Sequence, residues 1–208
     1  MTSNLKQSPT AGAVVGLVLA GGRSLRFEGE KAAAELAGRP LILWAALRLL
    51  RSCATVAASV RRGTRSEELA RAAGLPLLYD LPGDPLGPLA GVRAGLLWAR
   101  EQGARALAVS PCDAPLLPDD LFTRLIAGAG TGAALAETQE RAQPLCALWP
   151  VSALAEVTEA IQGGNHPPTW RLLQELGAIR IRFDDAGAFA NINTRADLAA
   201  VAAGSAFT

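Results

Sequence analysis

Apolar positions along this chain gather into short unbroken runs, separated by amphipathic stretches. Residues 14–20 (VVGLVLA) form the clearest run, rich in β-branched side chains and closed by Gly21-Gly22. Continuous apolar character over so few residues predicts a strand buried on both faces of a parallel sheet. Pro40 then opens LILWAALRLLR, whose spacing predicts a helix with proline in its first turn. Further strands are expected at residues 55–60, 75–79 and 104–110. Further helices are expected at 66–73, where Thr64 and Glu67 have capping-box spacing, at 89–101, and at 119–127 behind Pro118.

Beyond residue 130 the rhythm changes. Residues 133–137 and 144–149 predict two strands joined by a polar turn at 138–143. Helices at 151–161 and 169–176 flank a loose GGNHPP loop, a strand follows at 178–183, and Thr194 with Asp197 caps a last helix through Val201. The expected fold is therefore α/β: a single Rossmann-like three-layer domain, its mostly parallel sheet covered by helices on both faces, with a later antiparallel strand pair.

Length and composition narrow this. A chain of 208 residues suits one sizeable domain, taken here as residues 13–208 behind a disordered tail at 1–12. Lys6 and the apolar run at 13–20 imitate a signal peptide, but the run is short, a proline intervenes, and no other run nears membrane-spanning length. A net charge of +1 and 5% aromatic residues argue against nucleic acid as a partner. Cys53, Cys112 and Cys146 are scattered, and His166 is the only histidine, so neither a zinc site nor a disulfide framework is expected. A reducing cytoplasm is the simpler setting.

Candidate chemistry lies at the strand ends, where open parallel sheets bind ligands. Gly21 and Gly22 offer bare amides and a backbone free to turn sharply. Arg23, Arg26 and Lys31 follow on the same loop, making a cradle for phosphate. Neither GxGxxG nor GxxxxGK[ST] is present. Asp80 ends the third strand ahead of Gly87-Pro88, a turn at a helix start whose amides suit a base or phosphate and equally suit plain capping. Asp113, fixed between prolines, suits Mg²⁺, which takes one or two carboxylates plus substrate phosphates; an exposed loop aspartate is the blander alternative. Asn191 and Asn193 can hydrogen-bond phosphate or serve in Asx turns.

The four segments LAGGxSxRF…K, GPLAG, CDAP and NINTRADL, in that order, resemble the molybdenum cofactor guanylyltransferases among the nucleotidyltransferases, over residues 14–201. The resemblance implies that Leu19, Ala20, Gly21, Gly22 and Arg23 wrap the nucleotide and that Lys31 steadies its triphosphate. Asp80 with Gly87, Pro88, Leu89 and Gly91 would complete a GTP site, and Asp113 would hold the catalytic magnesium. Lys31, Arg26 and Asp113 would be catalytic, while Asn191 and Asn193 would face the acceptor. The implied reaction moves GMP from GTP to the phosphate of molybdopterin and releases pyrophosphate. Passing contact with other cofactor-biosynthesis proteins is implied as well. Departures from the family pattern are Glu28 in place of glycine, Glu30 in place of aspartate, Arg195 in place of proline, and the end of the second strand, Ala58-Ser59-Val60, where an asparagine often assists the nucleotide and only Ser59 could substitute. A related enzyme with another base or acceptor, or a non-catalytic nucleotide-binding domain, remains an alternative reading of the same residues.

Overall fold

The computed structural model describes residues 12–22, 27 and 29–204. Strand β1 (Val14–Leu19) leads to a short hairpin of β2 (Glu35–Leu36) and β3 (Arg39–Pro40), then to helix α1 (Leu41–Leu50). The alternation continues through β4 (Val56–Ser59), α2 (Arg65–Ala72), β5 (Leu77–Leu78), α3 (Pro88–Glu101), β6 (Ala106–Pro111) and α4 (Leu121–Ala129). After these come β7 (Ala134–Glu137), β8 (Ala142–Pro150), α5 (Leu154–Ala160), α6 (Thr169–Glu175), β9 (Ile179–Arg182) and α7 (Arg195–Gly204).

Seven strands form one sheet in the order β5-β4-β1-β6-β8-β7-β9. The first four are parallel, as continuous apolar strands covered on both faces should be. β8 runs against both of its neighbours, β6 and β7, while β9 pairs parallel to β7. The expected antiparallel pair is thus β7 with β8, and its second member docks on β6.

Successive side chains of β1 point to opposite faces, and each face has its own core. Val14 and Val18 meet Ile42 and Leu49 of α1 on one side, where Phe122 and Leu125 of α4 complete the cluster. Val15 and Leu17 meet Val92 and Leu96 of α3 on the other, with Val157 of α5, Leu173 of α6 and Trp149 of β8. Helix α3 lies low on the sheet because it presents glycines there. A Cβ on Gly91 would come within 2.8 Å of the Leu19 and Ser59 side chains, and one on Gly95 within 2.7 Å of Leu17 and Leu107. That close approach brings the start of α3 to the ends of β1 and β4.

A third cluster, Phe27, Leu36, Leu41 and Ile192, is packed by Leu198 and Val201 of α7. It fastens the last helix beside the hairpin near the chain's start. The hairpin was not expected from the sequence. Its turn has positive φ at both Ala37 (49°) and Gly38 (72°), as a type I′ turn requires, and alanine at such a position is a poor signal. Trp44 Nε1 donates to the Leu36 carbonyl at 2.9 Å and braces the turn from α1. Most of the expected tail, residues 1–11, lies outside the described residues; Gly12 is described, and its amide donates to the Gly103 carbonyl at 3.4 Å. No described helix is long and apolar enough to cross a membrane.

Candidate active site

A cleft of about 400 Å³ opens at the carboxyl ends of β1, β4, β5 and β6, roofed by the start of α3. Leu19, Ala20, Gly21 and Gly22 line it from β1, and Lys31 enters from the far end of the loop. Asp80, Gly87, Pro88 and Gly91 line one side and Asp113 the other. Leu89 does not line it: its side chain is fully buried in the core beneath α3. Arg23 and Arg26, and with them Glu28, lie outside the described residues.

Lys31 is the joint of the site. Its Nζ donates to Asp113 Oδ2 at 2.9 Å and to Asn193 Oδ1 at 3.1 Å, so three distant segments meet at one ammonium. The Lys31 side chain is only 13% exposed and that of Asp113 22% exposed. Holding an ammonium that far from water costs several kcal/mol, which the carboxylate and the amide oxygen offset. The backbone reinforces the meeting, because the Ile192 amide donates to the Asp113 carbonyl at 2.8 Å. Asp197 Oδ2 accepts from the amides of Asn193 and Thr194, both at 2.8 Å, and these bonds hold its carboxyl below the usual range. Asn193 is thereby fixed facing Lys31. Asn191 is exposed and lies outside the cleft lining.

Glu30, which stands where the family pattern has aspartate, is turned towards α2. Its carboxylate accepts from the amides of Arg65 at 2.9 Å and Ser66 at 2.8 Å, the open amino end of α2. A carboxylate there satisfies orphan amides and complements the helix dipole. The residue next to Lys31 is thus pinned to α2.

Gly21 and Gly22 turn without entering the left-handed region. Among the described residues, a Cβ on Gly22 would meet nothing within 4 Å, and one on Gly21 would meet the Ser59 hydroxyl and Arg61 at ordinary contact distance. The described neighbours do not demand glycine at either position, and both glycines line the cleft. Gly87 is different. Its φ of 153° favours glycine, and a Cβ would overlap the His166 ring, so the GGNHPP loop packs directly on the turn that starts α3.

Asp80 stands at the rim. Partial desolvation, then the charge of Asp84, pushes its carboxyl above the usual range. Asp84 itself is buried against Arg93 of α3 at 2.5 Å, which ties the Pro/Gly-rich loop to the helix. Cys112 lines the cleft floor as a thiol pushed up to about 12 by burial and then by Asp113.

Sequence reading passed over several residues. Arg48 of α1 donates to the Pro115 carbonyl at 2.8 Å and so braces the loop that carries Asp113. Arg61 and Leu145 line the cleft, and His166 backs Gly87. Each is a lone side chain outside a motif and carries no signal of its own; only the adjacency of Arg61 to the end of the second strand could have marked it.

Asp113 offers one carboxylate rather than a cage, and no group of three or more histidine, cysteine or acidic residues that could hold a metal occurs among the described residues. That donor set fits Mg²⁺, which draws its other ligands from water and phosphate, and does not fit zinc.

Residues 16–179 match the MobA-like NTP transferase domain. The chain is 42% identical over 196 residues to a molybdenum cofactor guanylyltransferase of Cereibacter sphaeroides, spanning 88% of this chain and 93% of that one. Among solved structures, molybdopterin-guanine dinucleotide biosynthesis protein A of Archaeoglobus fulgidus superposes with a TM-score of 0.72 at 24% identity, covering 91% of this chain and 97% of that one. CMP:2-keto-3-deoxy-manno-octonic acid synthetase complexed with CTP shares the fold at a TM-score of 0.74 and 13% identity, covering 92% and 98%. On the match across residues 16–179, and on a relative this similar over most of both chains, the chain belongs to the MobA-like NTP transferase family.

Proposed function

We propose that this chain is a molybdenum cofactor guanylyltransferase, moving GMP from GTP to the phosphate of a molybdopterin-type acceptor. The observation that carries the reading is the convergence at Lys31, where the phosphate loop, the strand-end carboxylate of Asp113 and Asn193 of the last motif meet. The relative from Cereibacter sphaeroides, named for this activity, supports it.

In the proposed reaction an oxygen of the acceptor phosphate attacks the α-phosphorus of GTP. The bond from that phosphorus to the bridging oxygen breaks, and pyrophosphate departs with the electron pair. The attacking phosphate is already an anion at neutral pH, so no general base is needed, and a chain with one histidine lacks nothing for this step. The obstacle is repulsion between two anions. One cation at ~4 Å can offset about 4 kcal/mol at an effective dielectric near 20. Lys31 supplies such a charge by shifting from Asp113 to the triphosphate. Asp113, so released, is the residue that would hold Mg²⁺, which supplies charge neutralisation at the phosphate oxygens. Asn193 is placed to orient the acceptor phosphate without adding fixed charge.

The base is the finer question, since the fold also occurs in a synthetase complexed with CTP. Asp80 at the rim can accept from both donors of the guanine edge, N1 and N2, which adenine lacks. GTP should therefore bind at least about tenfold tighter than ATP or CTP, a difference near 1.4 kcal/mol. Calorimetric titration of the four nucleoside triphosphates with Mg²⁺ present tests this. A preference for CTP would replace the reading with a cytidylyltransferase, and equal affinities would remove base recognition altogether.

A further inference from the structure

Two opposite charges face the same cleft from neighbouring strand ends and leave each other alone. Ser59 of β4 pairs with Leu78 of β5, so continuing that register sets Arg61 opposite Asp80. Both residues line the cleft. Among the described residues no hydrogen bond or ion pair holds either the Arg61 guanidinium or the Asp80 carboxylate by its side chain. Arg62, the next residue, is engaged elsewhere, its guanidinium 3.8 Å above the Tyr79 ring. The Arg61 carbonyl accepts from Thr64 Oγ1 at 2.6 Å, which anchors its backbone while the side chain extends past Gly21.

Adjacent strands lie about 4.8 Å apart, so the two residues leave the sheet side by side and enter the same cleft, from which they can address one flat ring. They are also a strand removed from Asp113: β1 separates β4 from β6, whose end carries Asp113. A cation placed there is poorly sited for a triphosphate held at Lys31 and Asp113. It is well sited for a base held at Asp80.

We infer that Arg61 is a second base-reading residue, donating to O6 and N7 of guanine while Asp80 accepts from N1 and N2. The inference rests on the guanylyltransferase reading above. A guanidinium fork matches the two acceptors of that edge, which is the commonest specific contact arginine makes with a base. Adenine carries an amino donor where guanine has O6, and cytosine carries one as well, so the same fork rejects both. Aspartate alone would distinguish guanine by its donors N1 and N2; with Arg61 the acceptors O6 and N7 are read as well.

The experiment compares wild type, Arg61→Ala and Asp80→Asn by calorimetric binding of GTP, ATP, inosine triphosphate and 7-deaza-GTP with Mg²⁺. Inosine triphosphate lacks the 2-amino group that Asp80 would accept from, and 7-deaza-GTP lacks the N7 that Arg61 would donate to. Arg61→Ala should weaken GTP by about tenfold or more and leave ATP unchanged. Wild type should discriminate against 7-deaza-GTP, and Arg61→Ala should lose that discrimination while still discriminating against inosine triphosphate. Asp80→Asn should show the reverse pattern. If Arg61→Ala weakens GTP, ATP and 7-deaza-GTP alike, the residue serves the phosphates and the inference is overturned. It is overturned equally if GTP binds the variant as tightly as wild type. A wild type without preference for GTP would overturn the guanylyltransferase reading and this assignment together, whereas a GTP-selective wild type with an equally selective variant overturns this assignment alone.

Discussion

The two sides of the cleft are built on opposite plans. On the side proposed for the phosphates the protein satisfies its own charges: Lys31 is already bonded to Asp113 and Asn193, and a phosphate would have to take over those contacts. On the side proposed for the base, no side chain among the described residues bonds the charges of Asp80 and Arg61, and the bracing is behind them. Buried Glu67 of α2 accepts from the Gly63 amide at 2.6 Å and from the Tyr79 hydroxyl at 2.7 Å, linking the turn after Arg61 to the residue before Asp80. Ligand entry on one side is an exchange of partners; on the other it fills a waiting mould. The first arrangement suits groups that act during reaction, and the second suits groups that only recognise.

The largest effect should come from breaking the exchange at Asp113. Asp113→Asn keeps the size of the side chain and removes the charge that would anchor Mg²⁺, so turnover should disappear, by at least about 10³-fold, with the fold intact. A folded variant with near-normal activity would mean the metal is held elsewhere. Next is Lys31→Ala, which should lower kcat by about a hundredfold to several hundredfold, or 3–4 kcal/mol of transition-state stabilisation. KM for GTP should change far less than kcat; a variant that loses only affinity would place Lys31 with the recognition groups and dissolve the contrast.

The smallest effect, and the one that sharpens the comparison, concerns Glu67. Its hydrogen bonds from Tyr79 and then Gly63 pull its carboxyl from 4.5 down to about 2. A depressed carboxyl stabilises the fold above its unfolded value, and that contribution is lost as pH falls from about 4.5 towards 2. Glu67→Gln should therefore flatten the acid limb of a thermal-stability profile recorded between pH 5 and pH 2. At neutral pH it should raise KM for GTP about fivefold, as loss of one hydrogen bond would, and spare kcat. A drop in kcat matching the rise in KM would show that Glu67 supports both sides of the cleft.

Much of this was readable along the chain. β1, β4 and β6 are short continuous apolar runs because both of their faces are covered, and their carboxyl ends announced Gly21-Gly22 and Asp113. What stayed hidden depends on tertiary choice. Nothing in the pattern of β7 and β8 says that β8, rather than β7, docks on β6. The hairpin at Ala37 uses a residue that turns of its type disfavour. Glu30 looks like one more charge on a polar loop until α2 offers it two amides. Arg61 and Arg48 share that fate, since an arginine outside a motif reads as solvated surface whether or not it reaches a cleft or a carbonyl.

The partnership of Lys31 with Asn193 spans 162 positions. During synthesis the ribosome releases the cleft's residues long before it releases the segment that finishes the joint at Lys31. A chain interrupted before Ile192 would contain Lys31 and Asp113 and lack both the Asn193 amide and the main-chain tie from Ile192 to Asp113. In the proposed reaction, competence therefore waits until the segment at Ile192 and Asn193 has emerged and folded back onto Lys31 and Asp113, so that a shorter nascent chain holds nucleotide without the complete joint.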